Sequence, residues 1–223
     1  MVTAAVFEEI KVHGENFVLP GELELPEGST SLVLFSHGSG SSRLSPRNQF
    51  VAKSLRECGI GTFLFDLLGE REDNVQARFN ISLLSDRLLF ATHWISKQHY
   101  AKGLNLGYFG ASTGAASALK AAAKLGSKIK AVVARGGRPD LAMSTLHKVK
   151  AATLLIVGGL DTEVLQLNRQ ALEKLTALKE LKVIPDAGHL FEESGKLEQA
   201  ADMAAKWFSK YLAPDGNNVG LLE

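Results

Sequence analysis

Residues 107–119 read GYFGASTGAASAL. An apolar run ends at Gly110 and a small-residue, helix-forming run opens at Thr113. Between them stands Ser112, with Gly110 two positions before it and Gly114 two after. A strand that passes this abruptly into a helix leaves little room for side chains beside the turn, and three loop types place glycine there. The dinucleotide-binding fingerprint requires G-x-G-x-x-G in the first βα unit, with an acidic residue about 20 positions on. Here the glycines are spaced G-x-x-G-x-x-x-G in a central strand, and no acidic residue follows at that distance. The phosphate-binding loop requires a Gly-Lys-Ser/Thr ending, which is missing. What remains is G-x-S-x-G over Gly110-Ala111-Ser112-Thr113-Gly114, a strained turn that lifts a serine hydroxyl clear of a sheet and aims the next helix N-terminus at it.

The same alternation of strand and helix extends in both directions. Upstream, FEEIKV and ENFVLPGELELP flank His13-Gly14 as an antiparallel pair. SLVLFSH (31–37) is a strand that ends in a Gly/Ser-rich loop, and Pro46 opens a helix that stops at Gly59. GTFLFDL is the next strand, and a polar stretch leads to a helix over about 80–98. Downstream come a helix over 113–125, strand IKAVVARGG, a short connector, strand ATLLIVGG, a helix over 163–177, strand LKVIP and a helix over 197–211. Trp207 lies on the apolar stripe of that last helix and reads as core. Short continuous apolar strands alternating with helices imply an α/β fold: a mainly parallel central sheet with helices on both faces, plus the antiparallel N-terminal hairpin. With no linker or repeat, residues 1–213 read as one domain and 214–223 as a flexible tail.

Composition narrows the partners. In 223 residues, 25 Lys and Arg balance 24 Asp and Glu, which leaves no electrostatic footprint for nucleic acid or an anionic membrane. The N-terminus lacks the basic region of a signal peptide, and no run is long enough to span a bilayer. A cytoplasmic protein, monomer or homodimer, is expected. Cys58 is the single cysteine, so no intrachain disulfide can form, and its setting reads as small core residue rather than reactive thiol.

A serine hydroxyl attacks only when a histidine takes its proton and an acid fixes that histidine's tautomer. After Ser112 only His147 and His189 remain. His147 lies in a polar connector, whereas His189 follows the last strand with Gly188 beside it. Asp161, just past an apolar strand and after Gly158-Gly159, is the acid whose position gives the order Ser, Asp, His. Its rivals are Glu163, at a helix start, and Asp186, too near the base in sequence; Asp66 precedes the serine and reads as a structural or mouth residue. The oxyanion donors are expected from the Thr113 amide and from the loop FSHGSGSSR (35–43), through the amide of Ser39 or Gly38. His37 reads as a brace for that loop or a substrate contact. Arg43, Arg135 and Arg138 are candidate holders of a substrate carboxylate at the mouth.

Together LVLFSHGSG, GYFGASTG, LLIVGGLD and DAGHLFEE make the chain resemble the α/β-hydrolase family, in its dienelactone-hydrolase-like branch, over nearly its whole length. The resemblance implies hydrolysis of a small ester, lactone or related acyl substrate, with no cofactor and no metal. It also carries a departure: dienelactone hydrolases proper use a cysteine where this chain has Ser112, so the activity in the family's name does not carry over. Only about a dozen residues separate IKAVVARGG from the next strand, too few for a large cap domain; residues 67–80 are the candidate for a small mobile flap. The same triad would serve an acyltransferase or thioesterase, and a non-catalytic binding module on a hydrolase scaffold is the reading from another class.

Overall fold

The computed structural model describes residues 4–214. The tail expected at 214–223 therefore lies, except for Pro214, outside the described residues. Eight strands form one sheet: β1 (Ala4–His13), β2 (Val18–Pro26), β3 (Ser31–Ser36), β4 (Gly61–Phe65), β5 (Asn105–Ala111), β6 (Ile129–Arg135), β7 (Ala152–Gly158) and β8 (Lys179–Ile184). Their spatial order is β1-β2-β4-β3-β5-β6-β7-β8. The β1/β2 hairpin is antiparallel and joins β4 antiparallel, and every other neighbouring pair is parallel.

Burial on both faces explains the unbroken apolar runs. All six residues of β3 and all seven of β7 are buried. In β6, Val132 and Ala134 pack on one side, while Ala131 and Val133 pack on the other. The first side is covered by α3 (Ile81–Ile95), α4 (Thr113–Leu125) and α5 (Thr162–Lys174); the second by α1 (Pro46–Glu57) and α6 (Lys196–Tyr211). Each large apolar side chain so enclosed contributes about 1.5–3 kcal/mol. Trp207 is a core residue, its Nε1–H donating to the Ala152 carbonyl at 3.1 Å. No helix among the described residues is long and apolar enough to cross a membrane.

One expectation is corrected. Cys58 is exposed: it caps the end of α1, one residue before Gly59 (φ +77°), so its side chain points outward while Ile60 starts the way into β4. The stretch expected as a mobile flap holds a short helix, α2 (Val75–Phe79), and Asn74 and Asn80 cap α2 and α3 in turn. Ion pairs pin this segment, Arg87 to Glu72 and Arg78 to Asp73. The short connector after β6 coils into 3-10 turns over Pro139–Lys148, and it is too short to carry a cap domain.

Candidate active site

Ser112 stands between β5 and α4 with φ 51° and ψ −124°, a region that residues bearing a Cβ rarely enter. Neighbouring backbone holds it there: its amide donates to the Arg135 carbonyl at 3.2 Å, and its carbonyl accepts from Ala115 and Arg138 amides at 3.1 and 3.0 Å. The flanking glycines are a matter of contact. A Cβ on Gly110 would lie 2.5 Å from Ala115 Cα, and one on Gly114 would overlap the Ser36 carbonyl oxygen. The elbow is tight because strand β3 presses on it from the side.

The structure brings Ser112, His189 and Asp161 together. His189 Nε2 lies 3.3 Å from Ser112 Oγ, and His189 Nδ1 lies 2.6 Å from Asp161 Oδ2. The first distance is long for a hydrogen bond, as is common before substrate closes such contacts. Asp161 occupies the N-cap position of α5 yet makes no side-chain capping bond; its carboxylate turns to the imidazole instead. The loops carrying acid and base are sewn together, with the Gly159 amide donating to Ile184 O at 2.8 Å and the Leu160 amide to Ala187 O at 2.9 Å. The base's loop is bounded by two non-glycine residues of positive φ, Asp186 (56°) and Phe191 (58°). The rival acids lie elsewhere: Glu163 is exposed in the first turn of α5, and Asp186 faces solvent near Lys196. His147 is exposed on the connector.

On the other side of the serine, the loop after β3 approaches closely enough that a Cβ on Gly38 would lie 3.8 Å from Ser112 Oγ. The Thr113 amide, in the first turn of α4, has no helical acceptor and is available to an oxyanion. The Ser39 amide is already engaged: it donates to Thr113 Oγ1 at 2.8 Å. His37 braces this loop. Its Nδ1–H donates to Gly38 O at 3.0 Å and its Nε2 accepts the Leu67 amide at 3.0 Å, with burial pushing its pKa below the usual histidine value. Both nitrogens are thus committed to backbone. Beside the loop, a cavity of about 170 Å³ is lined by Ser39, Ser42, Asp66, Leu68 and Arg78 among others.

The arginines are otherwise occupied. Arg43 is held by Asp66, through its amide at 2.7 Å and its Nη1 at 2.6 Å. Arg138 grips Asp140 with two bonds of 2.9 Å. Arg135 does not open onto the mouth: it is 7% exposed, packs 5.7 Å from the Phe191 ring centroid, and makes one long bond of 3.4 Å to Asn48. Sequence reasoning missed Glu193, whose Oε1 accepts the Gly188 amide at 3.0 Å and so fixes the residue before His189. No spacing rule marks such a contact; the acidic pair after the histidine was its only sign.

Comparison with known proteins gives the family and the fold. The model of the "Dienelactone hydrolase family" matches residues 63–212. A dienelactone hydrolase from Anabaena variabilis is 48% identical, with a TM-score of 0.90 over 93% of this chain and 99% of its own. The Pyrococcus furiosus esterase Pf2001 is 18% identical, with a TM-score of 0.77 over 93% of this chain and 94% of its own; that likeness shows the fold alone. Proteins of two Mycobacterium tuberculosis strains, each named "Putative phosphoribosyl transferase", are 48% identical over 210 residues. Those residues are 94% of this chain but 47% of theirs, so the chain spans about half the length of the curated relatives it matches. By sequence and by architecture, the chain belongs to the dienelactone hydrolase family and has the α/β-hydrolase fold.

Proposed function

We propose that the protein is a serine hydrolase that cleaves a small ester, lactone or related acyl substrate through an acyl-enzyme. The observation that carries this reading is the chain of contacts from Asp161 Oδ2 through His189 to Ser112 Oγ, with the serine at positive φ in the turn between β5 and α4. His189 Nε2 takes the Ser112 proton as Oγ attacks the acyl carbon. Asp161 holds Nδ1–H and steadies the imidazolium. The developing oxyanion is received by the Thr113 and Ser39 amides, each such donor contributing on the order of 10²–10³ in turnover. The imidazolium then protonates the leaving group, and the neutral imidazole activates water against the acyl-enzyme. The step uses no cofactor. An acyltransferase or thioesterase would differ only in the group that accepts or leaves, and product analysis with competing thiols and amines separates them.

A fluorophosphonate probe should label the wild-type protein at Ser112 and leave Ser112→Ala unlabelled. The same substitution should reduce hydrolysis of p-nitrophenyl esters and small lactones to background. Wild-type protein that neither reacts with the probe nor turns over any of these substrates would sink the reading.

A further inference from the structure

A closed ring of hydrogen bonds joins the oxyanion loop to the elbow, and acyl transfer alone does not require it. The Ser39 amide donates to Thr113 Oγ1 at 2.8 Å, the Ser39 hydroxyl donates to the Arg78 carbonyl at 2.5 Å, and the two hydroxyl oxygens lie 2.9 Å apart. Ser39 has one hydroxyl proton, and it lies on Arg78 O, so the proton between the two hydroxyls belongs to Thr113. Thr113 therefore accepts one bond from Ser39 and returns another. Rotation about its χ1 breaks both at once, while Ser39 Oγ stays anchored to the last turn of α2.

We propose that the Thr113 side chain is a displaceable cap on the oxyanion hole: it satisfies the Ser39 amide while the site is empty and yields it to the substrate oxygen as negative charge develops there. This rests on the acyl-transfer reading above. Three physical points support it. Ser39 is partly buried, and an amide left unpaired there loses part of the roughly 1–3 kcal/mol that a fully buried donor would lose, so the threonine hydroxyl stabilises the resting loop. A neutral carbonyl is no better an acceptor than the threonine hydroxyl, and gains nothing by displacing it. An oxyanion is better, because charge-assisted hydrogen bonds are roughly twice as strong as neutral ones. The exchange is thus favourable in the transition state and indifferent in the ground state, which is the difference that accelerates a reaction. The Thr113 hydroxyl is a positioning group, distinct from the Thr113 amide that touches the oxyanion, and the bond from Ser39 Oγ to Arg78 O keeps Ser39 in place when the cap swings away.

The test is Thr113→Ala, which keeps the amide and removes the cap, beside Thr113→Ser, which keeps both. With the Ser39 amide permanently open, the ground-state carbonyl can use it. The alanine variant should then show a KM for p-nitrophenyl acetate lowered by roughly 3–10-fold with kcat no higher, and a similar gain in affinity for phenylboronic acid, whose serine adduct mimics the tetrahedral intermediate. The serine variant should match wild type. If the alanine variant does not fold, the Ser39 amide proton of the wild type is followed by NMR, and it should move when phenylboronic acid is added. Unchanged KM and boronate affinity in Thr113→Ala, a 10²-fold loss like that of a missing oxyanion donor, or an unmoved Ser39 amide would each overturn the cap. Fluorophosphonate labelling of wild-type Ser112 separates the two levels: labelling together with one of those results removes the cap alone, whereas no labelling removes the acyl-transfer reading and the cap with it.

Discussion

Asp161 starts α5 without capping it, and its Oδ2 lies 2.6 Å from His189 Nδ1 instead. Aspartate at an N-cap ordinarily accepts amide bonds from the first helical turn and stabilises a protein by about 1 kcal/mol. Here that contribution is given up to orient a histidine. Asp161→Asn should therefore leave the thermal midpoint nearly unchanged while lowering kcat by on the order of 10³–10⁴, because an amide at this position can favour the wrong imidazole tautomer. Calorimetry and ester hydrolysis on the same preparation check both halves. A large stability loss would show that the side chain is structural after all.

A second carboxylate holds the backbone just before the same histidine. Glu193 accepts the Gly188 amide at 3.0 Å, and its carboxyl is held below the usual value by hydrogen bonds from its own amide and from that of Gly188. A depressed carboxyl pKa means a contribution present above the unfolded value of about 4.3 and lost as pH falls through the folded one. Glu193→Ala should lower kcat, by up to about 10²-fold if His189 drifts by an ångström, with KM changed less. The difference in thermal midpoint between wild type and variant should be present at neutral pH and should close in the acid range below about pH 4.

These two carboxylates differ in how far sequence exposes them. Asp161 could be read because it lies at a strand end, after two glycines, in an order imposed by topology. Glu193 acts through a backbone amide five residues away, and many acidic residues share that spacing without doing so. The central strands were legible because burial on both faces demands unbroken apolar runs, whereas α2 was hidden in a polar stretch whose only signals were the caps at Asn74 and Asn80. Arg135 shares the parity of Ala131 and Val133 along β6, so strand alternation alone turns it into the layer under α1 and α6. The Thr113–Ser39 contact spans 74 positions, and no local pattern announces it.

Arg135 is a cation buried without a carboxylate partner among the described residues. Burial, with Arg47 adding a like charge, pushes its pKa down to about 10 from 12.5. A lowered pKa on a basic group means that folding is penalised wherever the group is charged in both states, that is, below about 10, and that the penalty fades between there and 12.5. Its Nε and Nη1 find no acceptor among the described residues. Arg135→Met, of similar length and apolar, should therefore keep or raise the thermal midpoint, since removing uncompensated buried charge is neutral to stabilising. A clear drop in the midpoint would show that the guanidinium is paid for by contacts other than those identified, the Phe191 ring being the first to examine.

The elbow itself stores strain, and the amount can be measured. Ser112 holds φ 51° and ψ −124°, a conformation that costs of order 1–3 kcal/mol for a residue with a Cβ. Glycine adopts it freely but loses about 0.5–1 kcal/mol through the greater freedom of the unfolded chain. Ser112→Ala and Ser112→Gly should both abolish hydrolysis, and they remove the same hydroxyl. They differ in the Cβ alone, so the comparison isolates the backbone. The glycine variant should be the more stable by about 1 kcal/mol, a midpoint some 2–4 °C higher in a domain of this size. If the two melt together, or the alanine variant melts higher, the serine sits in this turn without strain, and the elbow's geometry must be explained by the contacts of Gly110 and Gly114 alone.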